Sequence, residues 1–305
     1  MEIKNRGHRE EIMKASVIIP LFNNAYRDLL NCLAGINKQT ILPEEVIIVS
    51  NIPLKLPGYN FSAKTITIKK PISMATAINT GLKLIKGDIV CFTDPDTIPY
   101  ENWIQKIIET YKSDKSIGAV GGMDEIYRYN KLVPPKSVKH IGKLTFYGRL
   151  IGNHHSFVNT VEEIDFLKGS NMSFRKDLMI NFDEQIIGFY WWEQPVCLKI
   201  KSSGHKLIYN PDIKIKHFKN KDLTDTEKTI FLHSKNTTYL ILKYGFTIRK
   251  PLFLFYTFFI GQTHSPGILK ATFSTPLINC ISLLVTSMRG KVRGIRLFLS
   301  TKNRI

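Results

Sequence analysis

Two carboxylates flank a proline at Asp94-Pro95-Asp96, directly after the apolar run Asp88 to Thr93 (DIVCFT). At the end of a buried strand, on a turn stiffened by proline, such side chains can converge on one cation. A hard divalent ion such as Mg²⁺ or Mn²⁺ takes oxygen ligands and prefers one or two carboxylates plus substrate phosphates to an all-protein cage. Bound to a diphosphate, it stabilises that group as it leaves. Asp and Pro are also ordinary turn residues, so the motif takes its meaning from its surroundings.

The elements that must position this pair are legible. Ser16 to Leu21 (SVIIPL) and Glu45 to Ser50 (EVIIVS) are short β-branched runs, as expected of strands buried in a parallel sheet. Lys64 to Ile68 alternates as a strand, and Asp88 to Thr93 is another buried run. Between them, Tyr26 to Lys38 and Met74 to Ile85 are expected helices, the second capped by Ser73 and closed by Gly87. Alternating strand and helix implies a doubly wound, mostly parallel, Rossmann-like α/β sheet. Ligands of such sheets sit at the carboxyl ends of strands, which directs attention to Asn23, Asn51 and the Asp94 to Asp96 turn.

A chain of 305 residues, 43% hydrophobic, is long enough to bury a sizeable core. Its net charge of +18 predicts attraction to something anionic, whether nucleic acid, acidic lipid headgroups or phosphorylated substrates. The excess is concentrated late: from Lys214 onward there are 16 Lys and Arg against 3 acids, and no acid follows Glu227. Four scattered cysteines, Cys32, Cys91, Cys197 and Cys280, give neither a disulfide framework nor a zinc site and fit a reducing compartment. Residues 1–14 are polar and do not form a signal peptide, so the expected location is the cytoplasmic face of a membrane.

The expected division is an N-terminal extension over 1–14, a catalytic domain over 15–220 and a basic, partly apolar helical tail over 221–305. Within the tail, Leu252 to Ile260 and Leu277 to Met288 are too short or too diluted with polar residues to span a bilayer, so a re-entrant or interfacial segment is expected. Met288, Val292, Ile295 and Leu299 recur at spacings of 4, 3 and 4, flanked by Arg289, Lys291, Arg293 and Arg296. That is the pattern of a basic amphipathic helix lying among anionic headgroups. Between Val133 and Asn159 the chain is irregular and suits a cleft wall. The pair His154-His155 there has no partner at metal-ligand spacing and is read as a polar loop.

Several motifs in order resemble family 2 glycosyltransferases of the GT-A fold. They are Val17 to Pro20 with Asn23 or Asn24 beyond it; Ala77-Ile78-Asn79-Thr80-Gly81; Gly87-Asp88-Ile89 ending on Asp94 and Asp96; and Gly169, Asn171 and Arg175. Phe182-Asp183-Glu184, Trp191-Trp192-Glu193-Gln194, Gly204, Tyr209-Asn210-Pro211 and His217 complete the series, which spans Ala15 to His217. The resemblance implies an inverting transferase that moves a sugar from a nucleotide diphosphate donor with the help of Mn²⁺ or Mg²⁺.

It also implies roles. Asp94 and Asp96 would handle donor ribose, metal and diphosphate, with His217 adding to the metal site. Pro20, Asn23, Asn51 and Asn79 would lie around the donor. Glu193 would be the base, since inversion needs a carboxylate to deprotonate the attacking hydroxyl; as an acid in a first helical turn it could also merely favour the helix dipole. Gly169, Asn171 and Trp192 are weaker acceptor candidates, because buried Asn residues bracing loops and core aromatics look identical in sequence. Three positions depart from the family pattern: Ser50-Asn51 ends a strand that usually ends in Asp, Ile78 replaces an Arg, and Pro195 stands near where a second acid is usual.

The expected acceptor is a lipid-linked sugar, polyprenyl phosphate or polysaccharide, in glycoprotein glycan or surface polysaccharide assembly. Two rivals are a basic nucleic-acid-binding protein, for which no recognised module is present, and a catalytically silent sugar-binding relative. A nucleotidyltransferase would carry a Gly-rich loop after the first strand, and Leu21 to Ala25 offers none.

Overall fold

The structure, a computed structural model, describes residues 13–22, 25–68, 73–188, 190–219, 227–245, 249–274 and 277–302. Asn23, one of the expected donor contacts, lies outside the described residues, as does Asn24.

The N-terminal half follows the strand and helix alternation. Strands β1 (Ala15–Leu21), β2 (Glu45–Ser50), β3 (Ser62–Thr67) and β4 (Ile89–Thr93) interleave with helices α1 (Tyr26–Ile36) and α2 (Met74–Leu82). Every residue of β1, β2 and β4 is buried, which accounts for their unbroken apolar runs. Ser73 caps α2, its hydroxyl accepting from the Thr76 amide at 3.2 Å. Gly87 does not close that helix. A Cβ there would stand 2.6 Å from the Ser16 amide nitrogen, so glycine lets the chain run against the start of β1.

Next come β5 (Thr97–Pro99), α3 (Trp103–Ser113), the long β6 (Ile117–Arg128) and the short β7 (Lys131–Leu132), β8 (Lys143–Leu144), β9 (Leu150–Ile151) and β10 (Glu162–Ile164). Then follow β11 (Asn171–Arg175), α4 (Gln194–Ser202) and β12 (Lys206–Phe218). The principal sheet has the order β10-β12-β6-β11-β4-β1-β2-β3. Pairing is parallel from β3 through β2 and β1 to β4. It then turns antiparallel where β11 inserts between β4 and β6. The sheet is therefore mixed where a mostly parallel one was expected. The β11 run, NMSFR, carries no directional signal, and only its pairing with β4 and β6 shows which way it runs.

The C-terminal part holds α5 (Glu227–Tyr244), α6 (Lys250–Phe259), a hairpin of β13 (Gly261–Gln262) and β14 (Ser265–Pro266), α7 (Ile268–Ser274) and α8 (Leu277–Lys302). Tyr239, Leu240 and Ile241 of α5 and Phe253 of α6 belong to the same apolar cluster as Ile18, Phe92, Trp192 and Val196. The boundary expected at residue 220 lies outside the described residues, and the helices that follow pack on the sheet. Asp183 reinforces the junction by accepting from Tyr239 (2.8 Å), Lys243 (2.9 Å) and Tyr244 (2.7 Å) of α5.

Helix α8 lies closely on α5 through glycines. A Cβ at Gly290 would stand 2.6 Å from the Phe231 carbonyl oxygen, and one at Gly294 2.6 Å from that of Lys235. This docking settles the face of the basic helix. Lys291, expected among the outward cations, is fully buried and donates to the carbonyls of Thr257 (2.6 Å) and Pro266 (2.5 Å). Burial pulls its pKa down to about 7. The outward face carries Ile281, Val285, Val292 and Leu299, all exposed, with exposed Arg289, Arg293 and Arg296 beside them. Among the described residues no helix is long and apolar enough to cross a membrane.

Candidate active site

Asp94 follows the last residue of β4, and the turn it opens is closed by Thr97, whose amide (3.2 Å) and hydroxyl (2.7 Å) both donate to the Asp94 carbonyl. The chain then enters β5, which pairs with the end of β12 so that Thr97 lies opposite His217. The Phe218 amide donates to the Asp96 carbonyl at 2.8 Å. Backbone pairing between residues 120 apart in sequence therefore sets His217 against Asp96, with Nε2 and Oδ1 separated by 3.5 Å.

Asp94, Asp96 and His217 each offer one ligand atom, and these atoms lie within 4.8 Å of one another. Two carboxylates and an imidazole suit a divalent cation such as Mn²⁺ or Mg²⁺, with room left for substrate phosphate oxygens. The electrostatics agree. Burial and the neighbouring Asp96 push Asp94 up to about 6. Asp96 is also penalised by burial, but the His217 contact outweighs this and holds it below the usual carboxylate range. A cation between the two relieves the repulsion that separates them.

Sequence reasoning missed the residue behind the histidine. Asp124, fully buried on β6, accepts from His217 Nδ1 at 3.0 Å and from the Ser170 hydroxyl at 2.6 Å, and pairs closely with Lys168. Its carboxyl is held far below the ordinary range: burial opposes ionisation, and Lys168 and His217 overcome it. A carboxylate on one imidazole nitrogen fixes the tautomer that presents the other to a metal. Lys168 and Lys219 add positive charge around the pair, and both act on the pKa values of Asp94 or Asp96. Their only sequence signal is position, Lys168 immediately before Gly169 and Lys219 two residues after His217.

Glu193 occupies the N-cap position of α4 but makes no capping hydrogen bond. One carboxylate oxygen accepts from the Gln194 side chain at 3.3 Å, while Oε2 is buried without a partner. Desolvation, with the Asp94 charge adding to it, raises the pKa to about 7. A buried carboxylate with one unengaged oxygen and a pKa near neutrality has the properties of a general base. Pro195 lies in the first turn of α4, a position that needs no amide donor.

Other expected contacts are engaged elsewhere. The Asn79 side chain accepts from the Phe182 amide (2.8 Å) and donates to the Phe182 carbonyl (3.0 Å) and Glu184 (2.9 Å), so it braces the 182–184 loop. Asn171 is buried, accepts from Trp103 Nε1 (2.8 Å) and donates to the carbonyls of Ile213 (3.0 Å) and Met123 (3.3 Å), so both of its amide N–H groups are engaged in the interior. Gly169 makes room for Trp192: a Cβ there would meet its ring at 2.3 Å. Trp192 itself is a core residue, 5% exposed and packed on Phe182. Pro20 is buried within β1, and Asn51 is exposed just beyond β2.

The aromatic that faces open space is Trp191. Its φ of 65° is left-handed, a costly conformation for a bulky residue that persists only when neighbours enforce it. Its Nε1 donates to His233 Nε2 at 3.1 Å. Burial drives the His233 pKa down to about 3, which keeps that nitrogen an acceptor. His154, read as part of a polar loop, is instead buried, with Nε2 3.1 Å from the Phe166 carbonyl oxygen.

Comparison with known proteins places this geometry in context. The model of glycosyl transferase family 2 matches residues 16–179. A glucosyl-dolichyl phosphate glucuronosyltransferase of Haloferax volcanii is 26% identical over 152 residues, 45% of each chain. The uncharacterized glycosyltransferase YfnE of Bacillus subtilis is 31% identical over 117 residues, 36% of this chain and 30% of that one. Each match thus spans less than half of the relative's length. Among solved structures, GalNAc-T7 with UDP, GalNAc and Mn²⁺ superposes with a TM-score of 0.61 at 13% identity, over 90% of this chain and 58% of that one. TarS 1–349 of S. aureus superposes at 0.55 and 15%, over 94% and 89%. Both are similar in fold.

Proposed function

This chain belongs to glycosyl transferase family 2, and from that premise we propose that it transfers a sugar from a nucleotide diphosphate sugar to a hydroxyl of a lipid-linked or glycan acceptor, with inversion. The observation that carries the reading is the convergence of Asp94, Asp96 and His217 on one point, together with Glu193, a partly unpartnered buried carboxylate. A divalent cation, when bound, would supply charge stabilisation to the leaving diphosphate. Asp94, Asp96 and His217 would hold it, with Asp124 orienting His217 and Lys168 and Lys219 adding positive charge. Glu193 takes the proton of the acceptor hydroxyl as its oxygen bonds to the anomeric carbon and the bond from that carbon to the diphosphate oxygen breaks.

The acceptor and the location belong to the same reading. Support for a lipid-linked acceptor comes from the Haloferax relative, whose name specifies a dolichyl phosphate substrate. Support for work at an anionic membrane surface comes from the exposed apolar row on α8 with arginines beside it, and the cytoplasmic face is part of the same proposal. Glycan or surface polysaccharide assembly fits both, and binding to nucleic acid forms no part of it.

The test is release of nucleoside diphosphate from a panel of nucleotide sugars, with Mn²⁺ or with chelator, by the full chain and by Asp96→Asn. Metal-dependent release from one donor, lost in the variant, is the expected result. Binding without turnover of any donor, with or without an added glycan acceptor, would favour a silent sugar-binding relative.

A further inference from the structure

A cavity of about 730 Å³ opens beside Trp191, between the 147–153 segment, α6 and the hairpin of β13 and β14. None of the catalytic roles above uses it. Much of its lining is apolar and aromatic, with Tyr147 and Tyr256 in ring contact at 4.6 Å and the exposed Leu252, Phe255 and Ile260. Phe255 is 58% exposed, so apolar surface continues from the cavity onto the outside of the molecule. Arg149 and Lys270 also line it, the latter donating to the Thr263 hydroxyl at 3.2 Å, and among the described residues no acid lines the cavity.

Two connections join this space to the active site. Trp191, in its wall, is two residues from Glu193 and is fixed there by His233. Asn153, also in its wall, precedes His154, whose carbonyl accepts from the Asp124 amide at 3.0 Å. The wall is therefore built on the same backbone that places the base and the histidine's carboxylate partner.

We infer that this cavity holds the carrier end of a sugar acceptor linked through phosphate to a lipid: Arg149 and Lys270 take the phosphate, Tyr256, Phe255 and Ile260 take the start of the apolar chain, and the linked sugar supplies the hydroxyl that Glu193 deprotonates. The inference rests on the transferase reading above and adds where the acceptor binds and what its chemistry is. An apolar wall alone would accept any greasy molecule, and cations alone any phosphate. Only a ligand carrying both uses the whole lining. The volume is that of a site for a small ligand or the head of a longer one, and the exposed apolar part of the lining provides an exit for the remaining chain toward a bilayer.

The test is titration of the full chain with farnesyl phosphate, farnesol and inorganic phosphate, followed by tryptophan fluorescence, with release of nucleoside diphosphate from the donor assayed in parallel. Farnesyl phosphate is expected to bind at least about ten-fold more tightly than either fragment. Losing one charge-assisted contact costs roughly ten-fold or more, so Arg149→Ala and Lys270→Ala should each weaken it by that amount, and Phe255→Asp similarly. Donor hydrolysis should be unchanged in all three. Equal binding of farnesyl phosphate by wild type and variants, or no binding by a wild type that still hydrolyses the donor, overturns the inference alone. Inorganic phosphate binding as tightly as farnesyl phosphate would overturn it in favour of a free phosphate site, and farnesol binding as tightly in favour of an apolar one. Absence of metal-dependent hydrolysis in the wild type counts instead against the transferase reading.

Discussion

His217 stands between two carboxylates, with Nδ1 3.0 Å from Asp124 and Nε2 3.5 Å from Asp96. The first is fully buried and the second partly exposed, so the imidazole joins the interior of the sheet to its solvent-facing end. Asp124→Asn keeps the shape of the side chain and removes the charge that fixes the histidine. Loss of such an outer partner lowers metal affinity by roughly 10- to 100-fold. Calorimetric titration with Mn²⁺ should show this loss with the fold preserved by circular dichroism.

Glu193→Gln should lower kcat by about 10²- to 10⁴-fold, the range for a lost general base, while leaving nucleoside diphosphate binding in place. The contrast between turnover and binding separates this role from a structural one.

The pH dependence follows from the direction of the Glu193 shift. With its pKa raised to about 7, the carboxylate is protonated, and useless as a base, below that pH and ionised above it. kcat/KM should therefore rise through neutrality and level off on the alkaline side. An ordinary exposed glutamate would instead place that limb near 4 to 5.

Gly290→Ala should destabilise the protein, because the new methyl meets the Phe231 carbonyl at the contact of α8 with α5. Overpacking of this kind costs about 1–3 kcal/mol, and thermal unfolding should register it. Val292→Ala, on the exposed face of α8, should leave the melting temperature nearly unchanged.

The exposed face of α8 gives a separable prediction. Replacing Val285 and Val292 together by Glu should weaken binding to vesicles containing anionic phosphatidylglycerol and leave donor hydrolysis in solution untouched. Added salt should weaken wild-type binding in the same assay.

The parts legible in the sequence are those carried by local pattern. Continuous apolar runs marked β1, β2 and β4, and the turn after β4 marked the acidic pair, because both follow from neighbours in the chain. What was hidden depends on residues brought together from far apart. Asp124 is one of two adjacent acids, with Glu125, and nothing marks it out until β12 pairs with β6 and brings His217 to it. Trp191 and Trp192 are indistinguishable as letters, and the choice between them was settled by a left-handed backbone that sends one into the core and the other to a cavity. The tail was misjudged in one respect, since a helical period locates an apolar face but not which cations lie inward, and only the glycine contact with α5 shows that Lys291 is internal.

The proposed transfer requires a cation held by Asp94, Asp96 and His217 together with a nucleoside diphosphate. Its most direct test is Mn²⁺ binding followed by electron paramagnetic resonance, with UDP or GDP added in turn, in wild type and Asp96→Asn. One bound ion per chain, tightened by one of the nucleotides and weakened at least about ten-fold in the variant, is the predicted result. Binding that is indifferent to both nucleotides and equal in the two proteins would contradict it.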